Sequence, residues 1–579
     1  MIYTSVPRWQ GLIYIDTGGN RMKKRVLSVV LSSVMAIGLL TGCGQGGGTT
    51  DAPADTVEET TGTAALANTE KVDSAIENAT AVEDSSGYVY TGEAPITEEG
   101  GSIKILAQTS NYSNVDITKA PIVLKVFEEA GVEPDWALID YNSYEDAATP
   151  LISSGETDAD IIKIPDMDPN QVYIKSGLFV PLDEFFDYMP NYTKWLSENP
   201  IEKAELTAED GHIYYVPGTN VADDYQPCLM YNQVWLDKAG IKAPETLDDF
   251  VEMLKYFRDN DMNGNGDASD EIPMSIMADF LPYMFGPAFG LDLVSGFQAD
   301  DSGKVTYAYA DSENYKKYLE FLHGLYDEGL LEVEFTSLDR DKVIERISND
   351  LTGVAYDFSW AMSMMYSNVL PYYDGTAATA FVGVAPLSGD SKGFYVGRNS
   401  LGGMFGVSTK SSQIELAVKF LDYAMSEHCQ ELYQWGIEGE SYVVNADGTK
   451  SYTEQGLDND WLQQFGINPA FVMPAFQSVE ATDILVADWH AEINRQLRQY
   501  IKHPWPEIYA TSEESDSVNL YMPDIQTKVD ESATGFITGT MDLETEFDQY
   551  ISDLQSMNLD EVIDVRQTQY NRYLKALAQ

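Results

Sequence analysis

Cysteine, cationic residues and histidine are all scarce in this chain, and each shortage closes off a class of protein. Three cysteines in 579 residues cannot staple a fold of this size. Cys228 and Cys429 therefore leave stability to a hydrophobic core, for which a hydrophobic content of 44% suffices. Lys and Arg number 35 against 93 Asp and Glu, a formal net charge of −58. A field of that sign repels phosphates and anionic headgroups, which excludes nucleic acid as a partner and leaves the acidity as a surface kept soluble by charge. The five histidines (His212, His323, His428, His490 and His503) stand far apart, without metal spacing and without a Ser or Cys nucleophile motif around them. Acids this abundant form neighbouring pairs by chance, so no pair marks acid–base catalysis. Neither a catalytic residue nor a catalytic cofactor is expected.

After Cys43 no apolar run is long enough to span a bilayer, so any pore must be another chain. The run 26–40 itself falls short of the roughly 20 residues of a stable spanning helix. It follows Lys23, Lys24 and Arg25 and leads into Leu40-Thr41-Gly42-Cys43. Cations at the inner leaflet, a short apolar helix and small residues at a cleavage point make 1–42 an export signal. A Cys directly after a small pair resembles the bacterial lipobox, whose thiol is acylated and becomes the first mature residue. That resemblance implies a lipid anchor at Cys43 on the outer face of the cell membrane, each buried methylene contributing about 0.8 kcal/mol. Arg8, Trp9 and Asp16 do not suit such a signal, so translation is expected to begin at Met22. Cleavage would leave 30 Lys and Arg against 92 Asp and Glu, a net charge of −62.

From 44 to about 100 the chain is rich in Gly, Thr, Ala and acids, with one cation (Lys71) and two aromatics (Tyr88 and Tyr90). This composition predicts that 43–100 is the lipidated Cys followed by a disordered acidic tether. The body then opens with a strand pattern at 102–107, a helix at 120–130 stopped by Gly131, a strand at 136–139, a short helix at 143–153 and a strand at 160–164. The βαβαβ order predicts an α/β fold with a parallel sheet covered on both faces. Ligands of such sheets bind beyond the carboxyl ends of the strands, here 108–112, 141–144 and 165–168.

What the chain has in plenty is aromatic surface, 12% of residues with nine Trp and 36 Tyr, more than core packing alone demands. Between 211 and 260 it reads Gly211-His212-Ile213-Tyr214-Tyr215-Val216-Pro217, then Leu229-Met230-Tyr231-Asn232-Gln233-Val234-Trp235-Leu236-Asp237-Lys238-Ala239-Gly240, then Pro244-Glu245-Thr246-Leu247-Asp248-Asp249-Phe250 leading into a helix. Later come Gly383-Val384-Ala385-Pro386-Leu387, Phe405-Gly406-Val407-Ser408 before a helix over 412–426, and Trp435-Gly436-Ile437-Glu438-Gly439-Glu440-Ser441-Tyr442. In this order the motifs resemble family 1 of the extracellular solute-binding proteins of ABC importers, the maltodextrin-binding type, over about 101–579. The last motif resembles the larger lipoprotein branch near the alginate-oligosaccharide binders. The resemblance implies a two-lobed periplasmic-binding-protein type II fold, each lobe a mostly parallel sheet flanked by helices, with the ligand in the cleft. Lobe 1 is expected over 101–220 plus 404–474 and lobe 2 over 221–403 plus 475–579. Crossings would lie near 217–223, 396–405 and 470–480. Pro217-Gly218 and Gly402-Gly403 are places where a hinge can bend.

The loop from Asp261 to Glu271 carries oxygen side chains at positions 1, 3 and 5 (Asp261, Asn263, Asn265), Gly266 at position 6 and Asp267 at position 7, the pattern of a calcium loop. The resembling branch closes such a site with an Asp-Glu pair followed by Ile-Pro, here Asp270-Glu271-Ile272-Pro273. Glu271 falls at position 11 rather than 12, so the closing carboxylate stays open between Asp270 and Glu271. A plain Asn-Gly turn loop is the alternative to structural calcium.

Sugar recognition needs aromatic faces for pyranose C–H surfaces and planar polar groups for hydroxyl pairs. Trp360, after the apolar run 353–356, resembles the family's stacking Trp, and Asp357 beside it is expected to accept ligand hydroxyls. Tyr112, Asp166, Asn220 and Arg398 stand at strand ends or hinges and complete the candidate set, with Trp505 and Tyr283 as weaker candidates. Trp235 and Trp461 are expected to pack in the core or against a helix. The implied function is a monomeric lipid-anchored receptor that closes on an oligosaccharide and delivers it to ABC permease subunits in the membrane. Two alternatives remain at this point: a binding protein for a peptide or organic acid, with Arg398 as its one candidate cation, and a secreted polysaccharide-degrading enzyme with two carboxylates across a cleft.

Overall fold

Alternating and apolar runs pair as their periodicity requires. The computed structural model describes residues 72–110, 114–165, 172–219, 227–397 and 401–577. β1 (Ser102–Gln108), the helix Pro121–Ala130, β2 (Glu133–Ile139), the helix Tyr144–Ser154 and β3 (Ile161–Lys163) follow one another as expected. The first helix opens on Pro121, where no N–H is needed, and ends at Gly131, whose φ of 77° forms the left-handed cap. It buries Ile122, Val123, Val126, Phe127 and Ala130, the spacing that sets one helical face on a sheet.

Five further strands complete two sheets: β4 (Val216–Thr219), β5 (Pro227–Asn232), β6 (Val354–Phe358), β7 (Phe381–Gly383) and β8 (Leu401–Val407). The first sheet has the order β2-β1-β3-β8-β4 and the second β6-β5-β7. β1 is parallel to β2 and β3, while β8 is antiparallel to β3 and β4. In the second sheet β5 is antiparallel to both neighbours, so the mostly parallel pattern expected of each lobe is not met there. The physical reason is topological: β5 arrives from the first sheet and lies reversed between β6 and β7.

Each sheet has its own core. The first gathers Ile103, Ile105, Phe127, Ile161, Tyr192, Phe405 and Phe420, and the second Leu229, Tyr231, Trp235, Phe285, Tyr315, Tyr356 and Phe536. The first sheet holds β4 and β8 and the second holds β5. Gly218 pairs with Gly402, and a Cβ on Gly218 would stand 2.8 Å from the carbonyl oxygen of Ala475. β4, β8 and the backbone of Ala475 therefore come together at Gly218, a position that admits only glycine. Beside it the β4–β8 register shifts between Gly402 and Phe405, with Gly403 at φ 55°, a bulge that bends the strand where the lobes meet. Residues 401–403 belong to the first sheet rather than to lobe 2.

The tether expected over 43–100 gives way to ordered structure by residue 72. Residues 72–78 form a helix, and Val72, Tyr90 and Ile96 are buried in the first core. Asp84 meets Lys419 at 2.5 Å with side-chain exposures of 7% and 2%, and the Tyr90 hydroxyl donates to Asp422 at 2.8 Å. The acids that argued for a solvated tether are thus partly consumed by buried partners on the helix Ile414–Ala424. Cys43 and the leader lie outside the described residues.

Candidate ligand-binding site

Trp360 sits on the turn that follows β6, ahead of a five-residue π-helix, Met362–Tyr366. A π turn inside a helical start commonly marks a functional site, because its wider register re-aims a side chain. The ring is half-buried, and the Arg340 guanidinium lies over one face with its carbon 5.4 Å from the ring centroid. Among the described residues no other aromatic ring stacks on it. A flat indole backed on one side by a fixed cation is a rigid aromatic face.

Asp357 has a different task from the one expected. It is fully buried and accepts Arg340 Nε and Nη2 at 2.7 Å each, with the Tyr366 hydroxyl donating at 2.5 Å. Both carboxylate oxygens are thereby engaged, so ligand hydroxyls do not reach them. The bidentate pair instead holds Arg340 beneath Trp360. Burial opposes the Arg340 charge, and Asp357 more than offsets it, leaving the guanidinium pKa raised. Burial first, then the Asp357 charge, pushes the Tyr366 hydroxyl well above the ordinary phenol range.

On the first lobe the carboxyl ends of β1 and β2 are knitted together: Thr109 N donates to Ile139 O at 2.8 Å and Tyr141 N to Thr109 Oγ1 at 3.0 Å. Tyr141 is half-buried and edge-on to Phe471, with ring centroids 6.0 Å apart. Tyr112, Asp166, Asn220 and Arg398 lie outside the described residues. Trp505 stacks on Tyr570 at 5.0 Å, and Tyr283 lies edge-on to Phe280 at 5.8 Å. Trp235 is a core residue, fully buried with its indole N–H on Asp350, and Trp461 stacks on Phe465.

One aromatic was missed. Trp489 opens the helix Asp488–Leu497 just past the last crossing, is half-buried, and has a buried indole N–H without an acceptor. A tryptophan in the first turn of a helix at a lobe crossing was the available signal.

The 261–271 loop lies between the helix Leu247–Asp259 and Ile272, whose N–H donates to Leu351 O at 2.7 Å at the foot of β6. Asp261, Asn263, Asn265 and Asp267 each accept a backbone N–H within the loop, and Asn265 Nδ2 reaches Asp270 at 2.7 Å. Lys238 donates to the carbonyls of Asp261 and Met262. Among the described residues no three His, Cys, Asp or Glu side chains converge as ligands of one ion. Two buried oxygens nevertheless lack any partner, Asp270 Oδ1 and Glu271 Oε2. Burial, with a lesser push from Asp270, raises the Glu271 pKa. Orphaned carboxylate oxygens and an all-oxygen donor set fit a hard cation.

Among the described residues the other cysteines and histidines gather into no metal-binding group. Cys228 and Cys429 are buried free thiols, the latter pushed up to about 12 by burial. His212 pairs with Asp183 and His428 with Glu129, on separate elements. Among the described residues no helix is long and apolar enough to cross a membrane.

Comparison with known proteins gives a concordant picture. A fructooligosaccharide ABC transporter substrate-binding protein of Streptococcus pneumoniae, FusA, is 26% identical over 84% of this chain and 94% of its own. Lipoprotein LipO of Bacillus subtilis is 26% identical over 63% of this chain and 73% of its own. Among solved structures, FusA in complex with kestose superposes with a TM-score of 0.64 at 23% identity, covering 82% of this chain and 99% of that one. A human-milk-oligosaccharide-binding solute-binding protein of Bifidobacterium longum infantis gives 0.68 at 20% identity, covering 82% and 99%. These neighbours are two-lobed substrate-binding proteins, and the fold here is theirs. Residues 112–428 match the family profile itself, and the chain belongs to the bacterial extracellular solute-binding proteins.

Proposed function

We propose that this protein is a lipid-anchored receptor that captures an oligosaccharide between its two lobes and delivers it to an ABC permease. The observation that carries this reading is Trp360, a half-buried ring at the end of β6 held from behind by Arg340 and Asp357. Trp489 and Tyr141 are further platforms. Closure would bend the glycine-lined junction of Gly218, Gly402 and Ala475, a population shift stabilised by ligand contacts with both lobes. The relatives support the substrate class, since FusA is named for fructooligosaccharides and the Bifidobacterium neighbour for milk oligosaccharides. Cys43 would carry the anchor, with LipO as a lipoprotein relative.

Calcium is proposed as a structural ion, held by Asp261, Asn263, Asn265, Asp267, Asp270 and Glu271. Neighbours described as an EF-hand mutant of FusA and an alginate-binding protein without calcium support the assignment. The ion would neutralise clustered carboxylates and stiffen the loop below β6.

A thermal-shift screen over defined fructo-, milk- and alginate oligosaccharides, with peptides and organic acids alongside, tests the substrate class. A rise in Tm with one sugar series is expected. Silence from every sugar together with a hit from peptides would overturn the reading.

A further inference from the structure

A buried polar cluster beside the turn that carries Trp360 is built around one histidine. His490 is fully buried, and its Nδ1 lies 2.6 Å from the Ser363 hydroxyl, itself 7% exposed, in the π turn that follows Trp360. Asn494, also buried, follows one turn along the same helix. His490 thus touches the turn that carries Trp360 without reaching solvent. Its helix is fixed in place: a Cβ on Gly383 of β7 would stand 2.8 Å from Met362 Sδ and 3.2 Å from both Ile493 and Leu497. Strand, π turn and helix are therefore in van der Waals contact, with no room for the turn to relax.

We infer that His490 is a positioning residue: through Ser363 it fixes the π turn and with it the angle at which Trp360 is presented. This rests on the reading of Trp360 as the ligand platform. A histidine, a serine and an asparagine buried together forgo hydration, and His490 Nε2 and Asn494 Oδ1 are left without a hydrogen bond. An apolar trio would serve packing better, whereas a polar clamp specifies one geometry of the turn. Burial keeps the ring neutral, its pKa pushed down to about 4, so Nδ1 remains available to the serine hydroxyl at neutral pH.

The test is the order of the Trp360 ring, read without a ligand. The full chain labelled with 5-fluorotryptophan gives a fluorine resonance for Trp360, assigned by its loss in Trp360→Phe. His490→Ala and Ser363→Ala are expected to broaden or split that resonance, while His490→Asn, whose side chain can still reach Ser363, keeps it single and narrow. An unchanged Trp360 resonance in Ser363→Ala, or equal loss in His490→Ala and His490→Asn, would overturn the proposal and reduce His490 to a core residue. Ser363→Ala decides alone if His490→Ala does not fold. A ring that responds in a protein no sugar stabilises would sink the substrate class and leave the positioning role standing.

Discussion

At the scale of single residues, charge placement decides more than charge content. Trp360 is held by a cation that is held by a buried acid, so removing the ring should weaken binding while the fold persists. Trp360→Ala is expected to weaken affinity for a sugar found by thermal shift by about 2 kcal/mol, roughly thirtyfold in Kd. Isothermal titration checks it, and an unchanged Kd would move the platform elsewhere. Glu205 is the other telling residue. It is 1% exposed, its carboxyl oxygens have no hydrogen-bond partner, and burial, then Glu507 and Glu202, push its pKa up to about 8. A carboxyl whose folded pKa lies above its unfolded value of 4.5 favours the fold below that unfolded value. It costs stability progressively as pH rises towards 8. Glu205→Gln should therefore raise Tm by about 2 °C or more at pH 8 and by less at pH 5, and an equal change at both would contradict the assignment.

At the scale of elements, the segment 72–99 and the calcium loop are the parts whose role sequence reading left open or misjudged. Strands and helices were legible because hydrophobic period and glycine caps are local signals: Gly131 and the alternation of 102–107 suffice to end a helix and start a strand. The ordering of 72–99 was not legible, because Val72, Tyr90 and Ile96 are too sparse to register as a core and the partners of Asp84 and Tyr90, Lys419 and Asp422, lie more than three hundred residues away. Asp357 was misread for a similar reason, since nothing local pairs it with Arg340. Breaking the Asp84–Lys419 pair with Lys419→Met leaves a buried carboxylate without its cation and should cost about 3 kcal/mol, measurable by urea denaturation. A change below about 0.5 kcal/mol would show the segment to be loosely held. For the loop, chelation of the purified protein should lower Tm and calcium should restore it, because binding to the folded state alone adds its free energy to stability. Glu271→Gln should blunt that response. Indifference to both chelator and calcium would leave a plain turn loop.

At the scale of the whole molecule, two separately packed cores are joined where β4 and β8 run side by side and Gly218 leaves no room for a side chain. Such an arrangement resists shear within a lobe and yields at the junction. The helix Leu559–Leu577 of the second core also packs on the helix Pro200–Leu206 of the first, adding a contact behind the hinge that any closure must accommodate. The central claim is that this hinge closes on an oligosaccharide, and small-angle X-ray scattering during a sugar titration tests it most directly. The account predicts a saturable fall in the radius of gyration with one oligosaccharide series. An unchanged radius across the sugar panel, with a fall on adding peptides, would contradict it.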